Sequence, residues 1–450
     1  MSRLFGTDGV RGVANSELTP ELAFDLGKAG AHVLSKETEK PLVLIGMDTR
    51  ISGDMLESAI SAGIQAVGGD VIRVGVIPTP AVAYLVKYHK ADAGVMISAS
   101  HNPFEYNGIK FFNKDGFKLD DRVEDEIEDI IVRHVDVNSH ITGQKLGRSQ
   151  QAEDNSAELY AKFLKDTVDI DLKGKKIVLD CANGAAYKVA EKVYRNLGAR
   201  PVVIANTPNG ININLGCGST DTKALQKKVL EENAFMGMAF DGDADRLIAV
   251  DEKGQVIDGD RLICIVAGML IKNGGLRNNL VTATVMSNLG LHKYLESLNV
   301  KVDVTNVGDR YVLEQMRKTE CSVGGEQSGH IIFLDHTTTG DGILSSLQVL
   351  KAVIESGKKP SELAEEIEIF PQVLVNAKVK NENKDIFATD EEVMAKIQET
   401  EKALDGYGRV LIRPSGTEPL VRVMIEGPGP EKIREMAQEI AELIEKKFGE

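Results

Sequence analysis

The 450-residue sequence contains no Trp, and aromatic residues make up only 5% of it. The composition therefore supplies few stacking platforms for nucleic-acid bases. Basic charge is also in deficit: 53 Lys and Arg stand against 68 Asp and Glu, a formal net charge of −15 that the 8 His cannot reverse. Binding a polyanion by counterion release needs a basic footprint, so no nucleic acid is expected as a partner. An anionic small substrate would need a few Arg and Lys converging against a repulsive overall field.

Cysteine is scarce. Cys181, Cys217, Cys264 and Cys321 lie far apart with no C-x-x-C pair, which reads as reduced thiols of a cytosolic protein rather than a zinc or disulfide framework. Long apolar runs are missing too. The start Met-Ser-Arg-Leu-Phe-Gly has no signal-like core. The longest apolar run, around Leu262 to Ile271, falls short of the ~20 residues of a membrane span. A soluble, cytoplasmic protein with no membrane partner is expected.

What is present is an ordinary globular balance, 42% hydrophobic and 27% charged. At one domain per ~150 residues the length suggests about three domains. The 43 Gly point to close backbone approaches in loops.

A unit recurs three times. A β-branched run leading into a helix-period segment occurs at Pro41–Arg50, Lys175–Gly184 and Asn278–Asn288. A second run follows at Asp70–Pro80, Ala199–Gly210 and Val300–Arg310. A third, shorter run breaks into a loop at Ala93–Ser100, Met236–Phe240 and Cys321–Val323. Hairpin patterns come next (IKFFNKDGFKL, LIAVDEKGQVI, IIFLDHTTTGDG), then helices at Asp120–Val135, Asp258–Lys272 and Asp341–Ser356. This predicts an α/β fold of three repeated domains with mostly parallel sheets, whose right-handed crossovers gather the loops on one side.

Residues 144–153 are polar and read as a linker. Beyond residue 370 the pattern changes to a smaller α+β domain, whose last helix keeps Ile433, Met436, Ala437, Ile440, Leu443, Ile444 and Phe448 on one face. The expected domains are 1–150, 151–256, 257–370 and 371–450.

Four loops could carry chemistry. Asp241, Asp243 and Asp245 alternate directly after an apolar run, and hard divalent cations take such oxygen ligands. An EF-hand is excluded, because Arg246 stands where its sixth-position glycine belongs. Ser100, in SASHNP, offers a hydroxyl on a loop that could equally be a plain turn. Adjacent residues rarely face each other, which argues against a Ser100–His101 hydrolase pair; a phosphorylated Ser100 would need no base of its own. Arg413, Ser415, Gly416 and Thr417, with Arg422 beyond, read as a phosphate cradle of guanidinium forks, hydroxyls and amides. In GGEQSGH, Glu326 and Ser328 could bond sugar hydroxyls and His330 could shuttle a proton. The Gly-lined GTDGVRG with Thr7 and Arg11 is weaker by itself.

FGTDGVRG, SASHNP, DGDADR, GGEQSGH and RPSGTEP, in this order across residues 3–448, resemble the motif set of the α-D-phosphohexomutase superfamily, and within it the bacterial amino-sugar branch. The resemblance implies three related α/β domains and a fourth of TATA-binding-protein-like fold, in a homodimer. It implies interconversion of glucosamine 6-phosphate and glucosamine 1-phosphate through glucosamine 1,6-bisphosphate, a step toward UDP-N-acetylglucosamine and peptidoglycan. The partner would be a small-molecule amino-sugar phosphate.

Position by position, Ser100 would be the phosphoserine, and Asp241, Asp243 and Asp245 would hold one Mg2+ per active site with a Ser100 phosphate oxygen. Arg11 and Arg246 would stabilise the transferring phosphoryl group, and Glu326 and Ser328 would grip the sugar. Arg413, Ser415, Gly416, Thr417 and Arg422 would bind the other phosphate, and Lys110 or His330 would transfer the proton. The alternative within the superfamily is phosphomannomutase or phosphoglucomutase activity; Gln327 and the GTDGVRG opening point to the glucosamine branch. A metal-dependent sugar-phosphate phosphatase would use the same Asp loop and Ser100, and a non-enzymatic sugar-phosphate binder is a third reading.

Overall fold

The computed structural model describes residues 3–449 apart from Thr7, 35–37, 39, 138–139, 154, 385 and 416–418. The chain forms two compact units, Met1–Met286 with Leu298–Glu365, and Ser287–Ser297 with Glu366–Glu450.

The first unit holds three sheets. One contains β1 (Val10–Val13), β2 (Leu42–Met47), β3 (Asp70–Val76), β4 (Ala93–Ile97), β5 (Tyr106–Asn113) and β6 (Ser149–Gln151), in the order β1-β5-β4-β2-β3-β6. The next contains β7 (Lys176–Asp180), β8 (Arg200–Ile204), β9 (Met236–Phe240), β10 (Leu247–Val250) and β11 (Val256–Ile257), ordered β11-β10-β9-β7-β8. The last contains β12 (Leu280–Thr284), β13 (Lys301–Thr305), β14 (Val323–Gly325) and β15 (Ile331–Phe333), ordered β13-β12-β14-β15.

The repeat is therefore real at the level of topology. In each sheet the unit's first strand lies between its second and third, both parallel to it, and the fourth pairs antiparallel with the third. The third strands β4 and β9 are buried along their whole length, as their sequences AGVMI and MGMAF allow. Strands covered on both faces read as continuous apolar runs, and the loops that follow them are where the candidate residues stand. The helices after the fourth strands, Asp121–Val132, Gly259–Lys272 and Gly342–Ser356, are each capped by an Asp (Asp120, Asp258, Asp341) that accepts a first-turn N–H.

Two local expectations change. The polar linker is not a free tether, since β6 within it adds a parallel edge strand to β3. The third hairpin has no returning strand among the described residues. Its sequence Asp335-His-Thr-Thr-Thr339 offers no alternating apolar positions to bury, and the chain turns back on Phe333 O through the N–H groups of His336 and Thr337. All four cysteines are buried free thiols, and among the described residues no helix is long and apolar enough to cross a membrane.

The second unit is a small antiparallel sheet of β16 (Gln372–Lys378), β17 (Arg409–Pro414) and β18 (Leu420–Glu426), ordered β16-β18-β17. The helix Pro430–Phe448 buries Ile433, Ala437, Ile440, Ala441 and Ile444 in the same core as Val421, Val423 and Ile425. The helix Leu289–Ser297, which belongs to the third repeat in sequence, lies in this unit. Leu289 N donates to Glu426 Oε2 at 3.2 Å, and Asn288 Nδ2 to Phe370 O at 3.0 Å.

Candidate active site

Ser100 stands three residues beyond the end of β4 and is 1% exposed, with a left-handed backbone at φ 50°. An L-residue pays roughly 1–2 kcal/mol for this conformation, so its surroundings must impose it. Ser100 N donates to Ser98 Oγ at 3.0 Å, and Ser98 Oγ donates to Asp48 Oδ2 at 2.6 Å. Asp48 also accepts Arg50 Nε at 2.9 Å, and the Arg50 fork reaches the carbonyls of Ser100 (2.8 Å), Asn102 (3.0 Å) and Pro103 (2.9 Å). The Ser100 hydroxyl donates to Asp241 Oδ2 at 2.6 Å and lies 3.3 Å from His101 Nδ1. The neighbours Ser100 and His101 thus do face each other, which the left-handed backbone permits. Burial, then Arg246 and Arg11, push the His101 imidazole down to about 4, so it is neutral at physiological pH.

The Asp loop leaves β9 at once. Asp241, Asp243 and Asp245 are all buried, and one carboxylate oxygen from each lies within 4.8 Å of the others. Gly242 is required by space: a Cβ there would stand 2.5 Å from Ser100 O and 2.9 Å from Asn214 Nδ2. Asp243 Oδ2 accepts Thr79 Oγ1 at 2.6 Å and Lys110 Nζ at 2.8 Å. Asp243 Oδ1 and Asp245 Oδ1 are buried with no hydrogen-bond partner. Burial, followed by repulsion from Asp245 and Asp243, raises the Asp241 carboxyl well above its usual range. Three enclosed carboxylates, two of them with an unpartnered oxygen, fit a divalent cation, which removes that repulsion.

Cations ring this loop. Lys110, on β5, is 1% exposed and pairs with Asp8 (2.9 Å) and Asp243, and these carboxylates outweigh burial to hold it as an ammonium. Asp8 also pairs with Arg11 and Lys118, and Lys118 with Asp309. Arg246 carries its Nε 4.0 Å from Asp245 Oδ1, and its backbone bridges His330.

His330 places Nδ1 3.6 Å from Asp245 Oδ2, while Gly340 N donates to its Nε2 at 3.1 Å, which assigns the ring proton to Nδ1. Burial would lower the imidazole, but Asp245 and Asp309 raise it above its ordinary value. Glu326 is half-buried, and its Oε1 accepts Gly308 N at 3.0 Å; Ser328 is exposed. One site therefore draws on loops of all three α/β repeats, bringing together Arg11, Ser100, Lys110, the three Asp, Arg246 and His330.

In the second unit, Arg413 and Arg422 are direct cross-strand partners on β17 and β18. Burial and then Arg422 push the Arg413 guanidinium down. Like charges opposed in this way are unfavourable until an anion lies between them. Ser415 is buried beside them, and the expected cradle residues Gly416 and Thr417 lie outside the described residues.

Asp8, Asp48, Arg50, Thr79, Lys118, Asn214 and Asp309 were not singled out from the sequence. Asp8 stands in a Gly-containing loop (GTDGVRG) and Asp309 opens a helix directly after Gly308, signals that could have drawn attention to them. Asp48 and Arg50 end the first strand's run, where they read as ordinary strand-terminal polarity.

Known proteins match this chain throughout. The description Phosphoglucomutase/phosphomannomutase matches in four parts: alpha/beta/alpha domain I at residues 2–136, domain II at 158–254, domain III at 258–370 and the C-terminal domain at 374–443. A phosphoglucosamine mutase of Thermoanaerobacter sp. (strain X514) is 58% identical over 448 residues, covering 100% of both chains. In fold, the chain is similar to a phosphoglucomutase/phosphomannomutase family protein from Burkholderia thailandensis (TM-score 0.79, 23% identity, 99% and 98% covered). It is also similar to the Aspergillus fumigatus N-acetylphosphoglucosamine mutase solved with GlcNAc-6P and magnesium (TM-score 0.71, 18% identity, 98% and 95% covered).

Proposed function

The chain belongs to the phosphoglucomutase/phosphomannomutase family within the α-D-phosphohexomutase superfamily, and we infer that it is an isomerase interconverting glucosamine 6-phosphate and glucosamine 1-phosphate through a phosphorylated Ser100. The observation that carries the reading is Ser100 Oγ, 2.6 Å from the first carboxylate of a buried acidic triad.

Asp241, Asp243 and Asp245, with a phosphate oxygen on Ser100, would hold Mg2+, which supplies positive charge where the phosphoryl group transfers. In the forward direction the C1 hydroxyl oxygen of glucosamine 6-phosphate attacks the Ser100 phosphorus. The P–O bond to Ser100 breaks as the bond to O1 forms, giving glucosamine 1,6-bisphosphate. Lys110, locked as an ammonium, acts as fixed positive charge with Arg11 and Arg246, and His330 takes the hydroxyl proton on Nε2, the nitrogen that carries none, in exchange for the Gly340 N–H bond it accepts. The bisphosphate turns end for end, and the 6-phosphoryl group passes back to Ser100.

Glu326 and Ser328 hold sugar hydroxyls. Arg413, Ser415, Gly416, Thr417 and Arg422 hold the phosphate that is not reacting. Little covalent chemistry is asked of the protein, so positioning and preorganised charge dominate. Burial of Ser100 also keeps water from its phosphoryl group. The reading extends to a cytoplasmic homodimer that engages neither nucleic acid nor membrane, in keeping with the net charge of −15.

Initial rates on glucosamine, glucose and mannose phosphates test it, with glucosamine expected fastest. A preference for mannose would overturn the substrate assignment. Free phosphate released in proportion to substrate consumed would favour a phosphatase instead.

A further inference from the structure

Both peptide groups of Ser100 are tied to a single carboxylate. Its N–H reaches Asp48 through the Ser98 hydroxyl, and its carbonyl reaches Asp48 through the Arg50 guanidinium. Arg50 also donates to the carbonyls of Asn102 and Pro103, so one fork holds three carbonyls of a four-residue stretch. Its side chain and that of Asp48 are fully enclosed. Asn214, from the second α/β repeat, donates through Nδ2 to the same Ser100 and Asn102 carbonyls at 2.9 and 3.1 Å. The Asp loop abuts this point, because Gly242 leaves no space for a side chain between Ser100 O and Asn214 Nδ2.

We propose that Arg50, oriented by Asp48, and Asn214 are positioning residues that hold Ser100 in its left-handed conformation, so that its phosphoryl-bearing oxygen stays aimed at the acidic triad. The proposal rests on the reading of Ser100 as the phosphoserine. Released from these donors, Ser100 relaxes toward the extended or right-handed backbone that L-residues prefer, and Oγ swings away from Asp241. A Lys at position 50 keeps the charge but cannot hold three carbonyls in a planar fork. Arg50 is sealed from solvent, so the effect falls on turnover rather than on sugar binding.

The test uses the full chain, phosphorylated and loaded with Mg2+, carrying Arg50→Lys or Asn214→Gly. Glycine accepts the φ of 59° found at position 214, so the second variant removes only the amide donors and remains informative if the first fails to fold. A displacement of about 1 Å at the reacting group costs about 100-fold in rate. For Arg50→Lys, kcat per folded molecule should fall by that order while KM for glucosamine 6-phosphate stays within about twofold. Asn214→Gly should fall by about 10-fold, and the double variant by less than the product of the two, because both residues hold the same carbonyls.

Wild-type kcat in either folded variant, or a rise in KM at unchanged kcat, overturns the proposal. Ser100→Ala in the same assay separates the two claims. An inactive Ser100→Ala beside fully active Arg50→Lys and Asn214→Gly overturns positioning alone, whereas an active Ser100→Ala overturns the phosphoserine reading and positioning with it.

Discussion

Asp241 receives the Ser100 hydroxyl at 2.6 Å on one carboxylate oxygen and the Arg246 N–H at 3.1 Å on the other. Residues 141 positions apart in sequence thus meet inside the first unit, each in the loop that follows its repeat's third strand. The carboxylate that would accept a metal is thus fixed by the backbone of Arg246, the residue proposed to stabilise the transferring group.

Ser100→Ala should abolish turnover and leave the fold intact, because in the proposed mechanism the hydroxyl carries the phosphate, while the backbone contacts of Ser100 do not depend on Oγ. Intact-mass spectra before and after phosphatase treatment check the premise. One phosphate on the Ser100 peptide is expected, and mutase activity near wild type in the variant would refute the mechanism.

Chelation should stop turnover, and added Mg2+ should restore it. Asp243→Asn and Asp245→Asn should each weaken Mg2+ binding by at least about 10-fold in calorimetric titration, since each removes a buried anionic ligand atom. Unchanged affinity in both would move the metal elsewhere.

Gly242→Ala tests the close approach of the two loops. The added Cβ would meet Ser100 O at 2.5 Å and Ile213 Cδ1 at 2.8 Å, forcing the Ser100 loop away from Asp241. A loss of about 100-fold in kcat is expected, measured alongside the thermal melt to show that the protein remains folded.

Asp341→Ala should lower stability without touching the reaction directly. Asp341 caps the helix Gly342–Ser356 by accepting Leu344 N at 2.9 Å, and it accepts the buried Tyr160 hydroxyl at 2.5 Å. Loss of the cap costs about 1 kcal/mol and an unsatisfied buried hydroxyl about 1–3 kcal/mol more. Urea unfolding measures the sum, and a midpoint equal to wild type would refute the assignment.

Glu124 gives a pH dependence away from the reacting groups. Burial pushes its carboxyl up to about 7, against the opposing pull of Arg310 and Arg3, from an ordinary value of 4.5. A carboxyl whose folded value lies above its unfolded one contributes stability that is complete below pH 4.5 and lost as pH rises through about 7. The stability of wild type relative to Glu124→Gln should therefore fall between these limits and level off above. Urea midpoints from pH 4.5 to 8 check it, and a difference that grows with pH would reverse the sign.

The threefold repeat, the three Asp helix caps and the acidic loop were legible in the sequence because each is local. A run of Asp-Gly-Asp-Ala-Asp directly after a strand carries its carboxylate spacing in its own backbone, and the apolar runs AGVMI and MGMAF announce their own burial. The departures came where local pattern gives no answer. Residues 144–153 look like a tether, yet three of them find an open sheet edge at β3. The helix Leu289–Ser297 keeps the third repeat's pattern, while the contacts of Leu289 to Glu426 and of the preceding Asn288 to Phe370 are tertiary and have no local sign in the sequence. Neighbouring side chains rarely face each other, yet at the positive φ of Ser100 its hydroxyl lies within reach of His101 Nδ1.

The sequence by itself determined most of the element types, the repeat, the acidic triad and the five motifs, since these depend on neighbours a few residues apart. Only the tertiary structure decided that Asp48, Arg50 and Asn214 hold Ser100, that Asp8 and Asp309 pair with Lys110 and Lys118, and that Lys110 is fixed as an ammonium. The reason is that enclosure and charge pairing act through space: a lysine reads the same in any strand until two carboxylates from distant loops are folded against it.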